Sequence, residues 1–185
     1  MQDTWLISDT HFGHTNAYTF TKDDGTLLRH PYTSAEECDT AMIENWNRVV
    51  KPSDKVYHLG DIVINKKHLP TLAKLNGEKI LIKGNHDIEK IHRFTEYFRD
   101  VRGSHQLAGM LLTHIPIHPQ SLARWGCNVH GHLHAKQVML GDEPDPRYIC
   151  VSVEQINFTP IHLDEVVKIM ADRGLKPNYR NRECS

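Results

Sequence analysis

The stretch Lys79-Ile80-Leu81-Ile82-Lys83-Gly84-Asn85-His86-Asp87 decides how the chain is read. A short apolar run between charged residues reads as a buried strand, and it stops at a glycine followed by three side chains that can hydrogen-bond, ligate or titrate. The same grammar appears upstream, where Trp5-Leu6-Ile7-Ser8 runs into Asp9-Thr10-His11 and Val56-Tyr57-His58-Leu59 runs into Gly60-Asp61. Downstream, Met110-Leu111-Leu112-Thr113 delivers His114, and Cys127-Asn128-Val129 leads into His130-Gly131-His132-Leu133-His134. The carboxyl ends of strands in α/β sheets are where loops converge on a ligand, because the strands behind them are rigid. Strands are therefore expected at 5–8, 55–59, 79–83, 110–114, 128–131 and 148–153.

Helical periodicity fills the gaps. Ser34 with Glu37 forms a capping-box pattern, after which Cys38, Met42, Trp46 and Val49 recur at helical spacing before Pro52. A second helix is expected at 66–75, with Asn65 as its cap, Gly77 beyond its end and Pro70 delaying its start; a third at 89–98; and a last at 163–173 before Gly174. This alternation reads as one α/β domain over residues 1–174 with a polar, partly basic tail at 175–185. Gly141-Asp142-Glu143-Pro144-Asp145-Pro146 reads as an exposed connection.

Composition narrows the functional classes. With 22 Lys plus Arg against 23 Asp plus Glu, no global basic field draws the chain to nucleic acid or an anionic membrane, so a phosphate-bearing substrate must be captured locally. Lys66-Lys67 and the tail arginines read as solvated charge. Four scattered cysteines without a C-x-x-C pair fit reduced thiols rather than a disulfide scaffold or a structural zinc site. The first residues show no basic segment followed by a sustained apolar run, and no apolar stretch approaches membrane-spanning length; a cytoplasmic protein is expected. Histidine is abundant, 14 of 185 residues, which composition alone leaves open between a diffuse metal-binding surface and an ordered site.

Position favours the ordered site. Two aspartates, an asparagine carbonyl and several imidazoles at strand ends form a mixed oxygen and nitrogen donor set suited to Mn²⁺, Fe or Zn²⁺. In an extended segment His132 and His134 would face one side, with His130 sharing that parity if the strand stayed regular, and Gly131 allows a turn or a close backbone approach. Taken singly, Asp9 and Asp61 read better as turn or cap aspartates, a reading that the other motifs together reverse, and His118 competes with His114.

The order Asp9-x-His11, Gly60-Asp61, Gly84-Asn85-His86-Asp87, His114, Gly131-His132-x-His134 resembles the calcineurin-like metallophosphoesterase superfamily, with no motif position missing. The resemblance implies a four-layer sandwich of two mixed β-sheets flanked by α-helices, and two divalent cations, Mn²⁺ first, with Fe, Zn²⁺, Ni²⁺ or Co²⁺ as alternatives. By family pattern Asp9, His11 and His134 hold the first cation, Asn85, His114 and His132 the second, and Asp61 bridges both. A carboxylate between two dications offsets their repulsion, and a bridging hydroxide would attack phosphorus in line. His86 is implied as the catalytic residue that protonates the leaving oxygen.

Asp87 would orient His86 or shape the turn; His14 and His58 would support a ligand or face the substrate. His30, His68, His92 and His105 read as solvent-facing or locally packed. The implied function is phosphoester hydrolysis, phosphodiesters preferred, with a phosphomonoesterase or nucleotide phosphatase as the alternative; a nucleotide or a nucleic-acid end is among the substrates. Substrate walls are expected from 12–30, 116–125 and 141–147. A catalytically silent scaffold is the rival of another class, but such relatives lose ligands or the Asn-His histidine, and both are kept here.

Overall fold

Successive residues of a strand face opposite ways, and most strands here are apolar on both faces, so each must be covered on two sides. The computed structural model describes residues 2–178 and meets this demand with two sheets and helices around them. In chain order the elements are β1 (Thr4–Ile7), α1 (Ala35–Val49), β2 (Lys55–His58), β3 (Glu78–Ile82), α2 (Ile91–Phe94), β4 (Asp100–Arg102), β5 (His105–Leu107), β6 (Met110–Leu112), β7 (Asn128–His130), β8 (Met139–Leu140), β9 (Glu143–Pro144), β10 (Tyr148–Cys150), β11 (Ile161–His162) and α3 (Leu163–Asp172). The first sheet runs β11-β1-β2-β3-β4, with β11 antiparallel and the rest parallel. The second runs β10-β7-β6-β5, with β5 antiparallel.

Alternation divides the core in two. Leu6, Tyr57, Ile80 and Ile82 pack with Met110, Leu112, Val129 and Ile149 of the second sheet, and Val166 and Met170 of α3 join them. Ile7, Val56 and Leu81 face the other way, against Cys38, Met42 and Trp46 of α1. The outer face of the second sheet is covered by the segment after His114: Ile117 N–H donates to Asn128 Oδ1 at 3.0 Å, and Tyr148 O–H donates to the Ile117 carbonyl at 2.7 Å. The architecture is thus α/β, two mixed sheets with flanking helices, as the resemblance implies.

Local chemistry explains the boundaries. The Ser34 hydroxyl accepts from Glu37 N–H, while the Glu37 carboxylate reaches back to Thr33 N–H, one residue earlier than an ideal capping box. At the end of α3, Gly174 adopts φ +73°, Gly174 N–H donates to Ala171 O and Leu175 N–H to Met170 O, a Schellman closure that turns Leu175 back onto the core. Backbone at 176–178 then lies against Gly109 and Gly126, where an added Cβ would meet it within 3 Å. The expected tail therefore begins as packed chain, and its remainder, 179–185, lies outside the described residues.

Three expectations are corrected. Residues 66–75 form a 3₁₀ segment, Lys66–Lys74, because Pro70 inside it cannot donate to an α-helical ladder, although Asn65 caps it as expected. The helix at 89–98 shrinks to one turn, α2, whose entry at Lys90 has no side-chain cap. The segment 141–146 is exposed as expected except at Asp145, but it is not loop throughout: β9 lies within it and pairs with β8 as a hairpin, with Gly141 at φ +65°.

Candidate metal centre

The ends of β1, β2, β3, β6 and β7 carry Asp9 and His11, Asp61, Asn85 and His86, His114, and His132 and His134. They converge because the two sheets are stitched together at Ser8. Its N–H donates to Val151 O at 2.9 Å, its carbonyl accepts from Val153 N–H at 3.1 Å, and its hydroxyl donates to Leu59 O at 3.0 Å. The seam leaves no room for side chains: a Cβ on Gly131 would lie 2.0 Å from Ser8 Oγ, and one on Gly84 2.2 Å from Asp61 Oδ1.

Donor atoms fall into two groups. Asp9, His11 and His134 place one ligand-type atom each within 4.8 Å of one another, and so do Asp61, His114 and His132. Asp61 Oδ2 stands between the groups, 3.7 Å from His11 Nε2 and 3.3 Å from His114 Nε2, while its Oδ1 is tied down by His86 N–H at 2.9 Å. Asn85 Oδ1 completes the second group, 2.9 Å from His114 Nε2.

Five of these residues, Asp9, His11, Asp61, His132 and His134, have φ between +44° and +68°, the left-handed region that non-glycine residues avoid. Backbone strain of this kind persists where surrounding structure over-determines it, and it gathers at functional sites. It also corrects the extended reading of residues 130–134. The strand ends at His130, whose ring turns away to donate Nδ1–H to Gly131 O at 2.7 Å and lies edge-on to Tyr148, so His130 is not part of either group.

The donors fit cations and fit little else. Asp9 Oδ2 accepts from His132 N–H and Ser152 O–H, but Asp9 Oδ1 and His11 Nδ1 are buried with no hydrogen-bond partner among the described residues. His114 Nδ1–H donates to Leu59 O at 2.7 Å, which leaves Nε2 facing the oxygens of Asp61 and Asn85. Three acceptors meeting at one point require a proton or a cation between them.

Burial and mutual contacts shift the protonation of these groups. Burial alone would lower His114 and raise Asp61, yet their mutual hydrogen bond and charge raise His114 and bring Asp61 down to about 2. Burial raises Asp9 despite His134 and His114, and lowers His11 well below the usual imidazole range, with Arg29 adding to the effect.

Other expected residues take definite places. His86 is exposed at the mouth, its ring 5.7 Å from that of His11. Asp87 does not touch that ring. It is buried and accepts from Gly84 and Asp61 N–H with Oδ2 and from Ile62 N–H with Oδ1, so it shapes the turn and locks the Asp61 and Asn85 loops together.

His58 lies in the interior, donating Nε2–H to Thr10 Oγ1 and accepting Gly60 N–H at Nδ1, with burial lowering it to about 3. His14 lies beside His11 with ring centroids 5.7 Å apart, and His118 caps the 3₁₀ turn Pro119–Arg124 instead of joining the donors. Of the expected walls, residues 21–24 and Leu28 line a groove of about 540 Å³ with His132–Lys136. Pro144–Pro146 instead line a separate cavity with Tyr148.

Two neighbours escaped the sequence reading, Arg29 and Glu154, both buried against the first group. Glu154 carried a signal, since it follows the apolar run of β10 as the other donors follow theirs. Arg29 carried none.

Comparison with known proteins identifies the family. An uncharacterized protein of Methanocaldococcus jannaschii is 37% identical over 179 residues, covering 92% of each chain. The Gene 66 protein of Mycobacterium phage L5 is 34% identical over 92 residues, 47% of this chain and 41% of that one. A solved structure of a protein of unknown function from Aquifex aeolicus shares the fold at a TM-score of 0.68 and 26% identity, covering 91% of this chain and all of that one (100%). The family described as calcineurin-like phosphoesterase matches residues 3–158, a span that opens before the first donor loop and closes after Glu154, and the chain belongs to that family.

Proposed function

We propose that the protein is a phosphoric ester hydrolase dependent on two divalent cations, Mn²⁺ first among them, with phosphodiesters preferred over monoesters. The observation that carries the reading is Asp61 Oδ2, buried between two donor groups and within 3.7 Å of an imidazole nitrogen of each. In this reading Asp9, His11 and His134 would hold one cation and Asn85, His114 and His132 the other, with Asp61 shared between the groups. When bound, such cations supply Lewis acidity, making water nucleophilic near neutral pH and offsetting charge on phosphoryl oxygens.

The chain supplies the rest. Asp87 accepts the Asp61 N–H and the His86 N–H holds Asp61 Oδ1, which leaves Oδ2 facing the imidazoles of both donor groups. In this reading His86, exposed at the mouth, donates a ring proton to the departing oxygen as the ester bond breaks. The groove beside His132 and His134 gives a second ester substituent somewhere to lie. Its charged lining, Lys22 and Lys136 against Asp23 and Asp24, is balanced, which suits the single charge of a diester better than the double charge of a monoester.

The test is chelation followed by reconstitution with Mn²⁺, Ni²⁺ or Zn²⁺, with bis(p-nitrophenyl) phosphate and p-nitrophenyl phosphate as paired reporters. Faster turnover of the diester is expected. A strong monoester preference overturns the diester assignment, and no turnover with any cation returns the chain to the scaffold reading. Among the described residues no helix is long and apolar enough to cross a membrane, so the reporters can be presented in free solution.

A further inference from the structure

Arg29 is almost completely buried, 1% exposed, and a guanidinium there needs a compensating charge. Its Nη2 donates to Asp9 O at 2.8 Å and its Nη1 to Thr10 O at 3.0 Å, so it grips the backbone of the left-handed turn that presents Asp9 and His11. Its Nε forms an ion pair with Glu154 Oε1 at 2.9 Å. The Glu154 carboxylate accepts Nδ1–H of His134, both oxygens lying 3.2 Å from that nitrogen, which leaves Nε2 as the free nitrogen of the ring.

One buried ion pair therefore touches two residues of the first donor group, Asp9 and His134, and also Thr10, which leads directly into the third, His11. The second group is supported differently. His114 gives its Nδ1 proton to the neutral Leu59 carbonyl, and the Asp87 carboxylate is spent on backbone amides. A carboxylate behind a ligating imidazole fixes its orientation and raises its basicity, whereas a carbonyl acts more weakly.

We infer that Arg29 and Glu154 are positioning residues for the Asp9–His11–His134 cation site alone, so that the two cation sites of the proposed centre are held by separable supports. Arg29 fixes the Asp9–His11 turn and Glu154 fixes the His134 ring; neither touches substrate. The inference rests on the two-cation reading above.

The test is calorimetric titration of the chelated full chain with Mn²⁺ alone, with electron paramagnetic resonance following formation of the coupled pair. Two variants are compared with the parent. Glu154→Gln keeps volume and an acceptor oxygen but removes the charge. Arg29→Met/Glu154→Leu removes both charges together, a replacement that buried ion pairs often tolerate without loss of folding.

The parent binds two Mn²⁺ per chain. In each variant one site keeps its affinity within about threefold and the other weakens, by about 10-fold in Glu154→Gln and about 100-fold in the double variant. The coupled signal fades at sub-saturating Mn²⁺ while an isolated-ion signal grows. A merely structural role would lower the melting temperature without separating the sites. Unchanged affinities, or equal weakening at both sites, overturn the inference while leaving the two-cation reading intact; a parent that binds fewer than two Mn²⁺ overturns both.

Discussion

Two polar clusters on this molecule, each containing histidine, are resolved in opposite ways. Along the β3–β4 edge of the first sheet, Arg102 donates to Asp100 at 2.6 Å and to His105 Nδ1 at 2.7 Å, His105 passes its Nε2 proton to Tyr57 Oη, and Arg99 pairs with Glu78. Donors and acceptors balance, and burial with the neighbouring Arg102 lowers His105. At the strand ends the account does not close. Asp9, Asp61, Asn85 and His114 bring acceptors together, and two buried atoms have no partner among the described residues. A cluster that balances internally is structure; one left with surplus acceptors around a point is built for something that arrives from outside.

The comparison breaks most directly at Asp61. Asp61→Ala should reduce ester hydrolysis below detection and lower Mn²⁺ stoichiometry, measured by turnover and metal analysis on the same sample; full activity in this variant would sink the assignment. His86→Ala should keep both cations and lose about 10²–10⁴-fold in kcat, the range for a lost general acid. Metal loss in that variant would place His86 among the ligands instead.

A smaller effect comes from His58, a satisfied histidine lying directly beneath the unsatisfied ones. Its folded value of about 3 lies below the ordinary 6.5, so its contribution is complete above pH 6.5. It is lost as pH falls, because the unfolded chain takes up a proton that the fold resists. His58→Gln should therefore shrink the stability difference between pH 6.5 and pH 5 by about 2 kcal/mol in urea unfolding of the chelated protein. An undiminished difference would mean that the buried ring is not the source.

The smallest effect belongs to the balanced edge. Arg102→Met should leave turnover unchanged and cost at most about 1 kcal/mol, as for other partly exposed ion pairs. A large loss of activity there would erase the distinction between the clusters.

What the sequence disclosed follows from distance along the chain. Each of the seven proposed ligands and His86 lies just past an apolar run, and both strand and polar end are local signals, so the donor set was legible before any geometry. β4, β5 and β11 were not, because they are two or three residues long and only partly buried, without a clean alternation to read. Nor was the grip of Arg29 on Glu154, which joins a loop near the start of the chain to the end of β10 through a contact with no periodicity. The left-handed turns were hidden for another reason. Glycine advertises such a backbone, whereas Asp9, His11, Asp61, His132 and His134 adopt it against their own preference.

Those five left-handed residues set function against durability. A left-handed conformation costs an L-residue about 1–2 kcal/mol that glycine would not incur, so at each position the residue that best suits the backbone is one that cannot hold a cation. Screening for heat resistance alone would drift toward glycine there and yield a hardier, inert protein. Selection for chemistry has to oppose that drift at every one of the five positions.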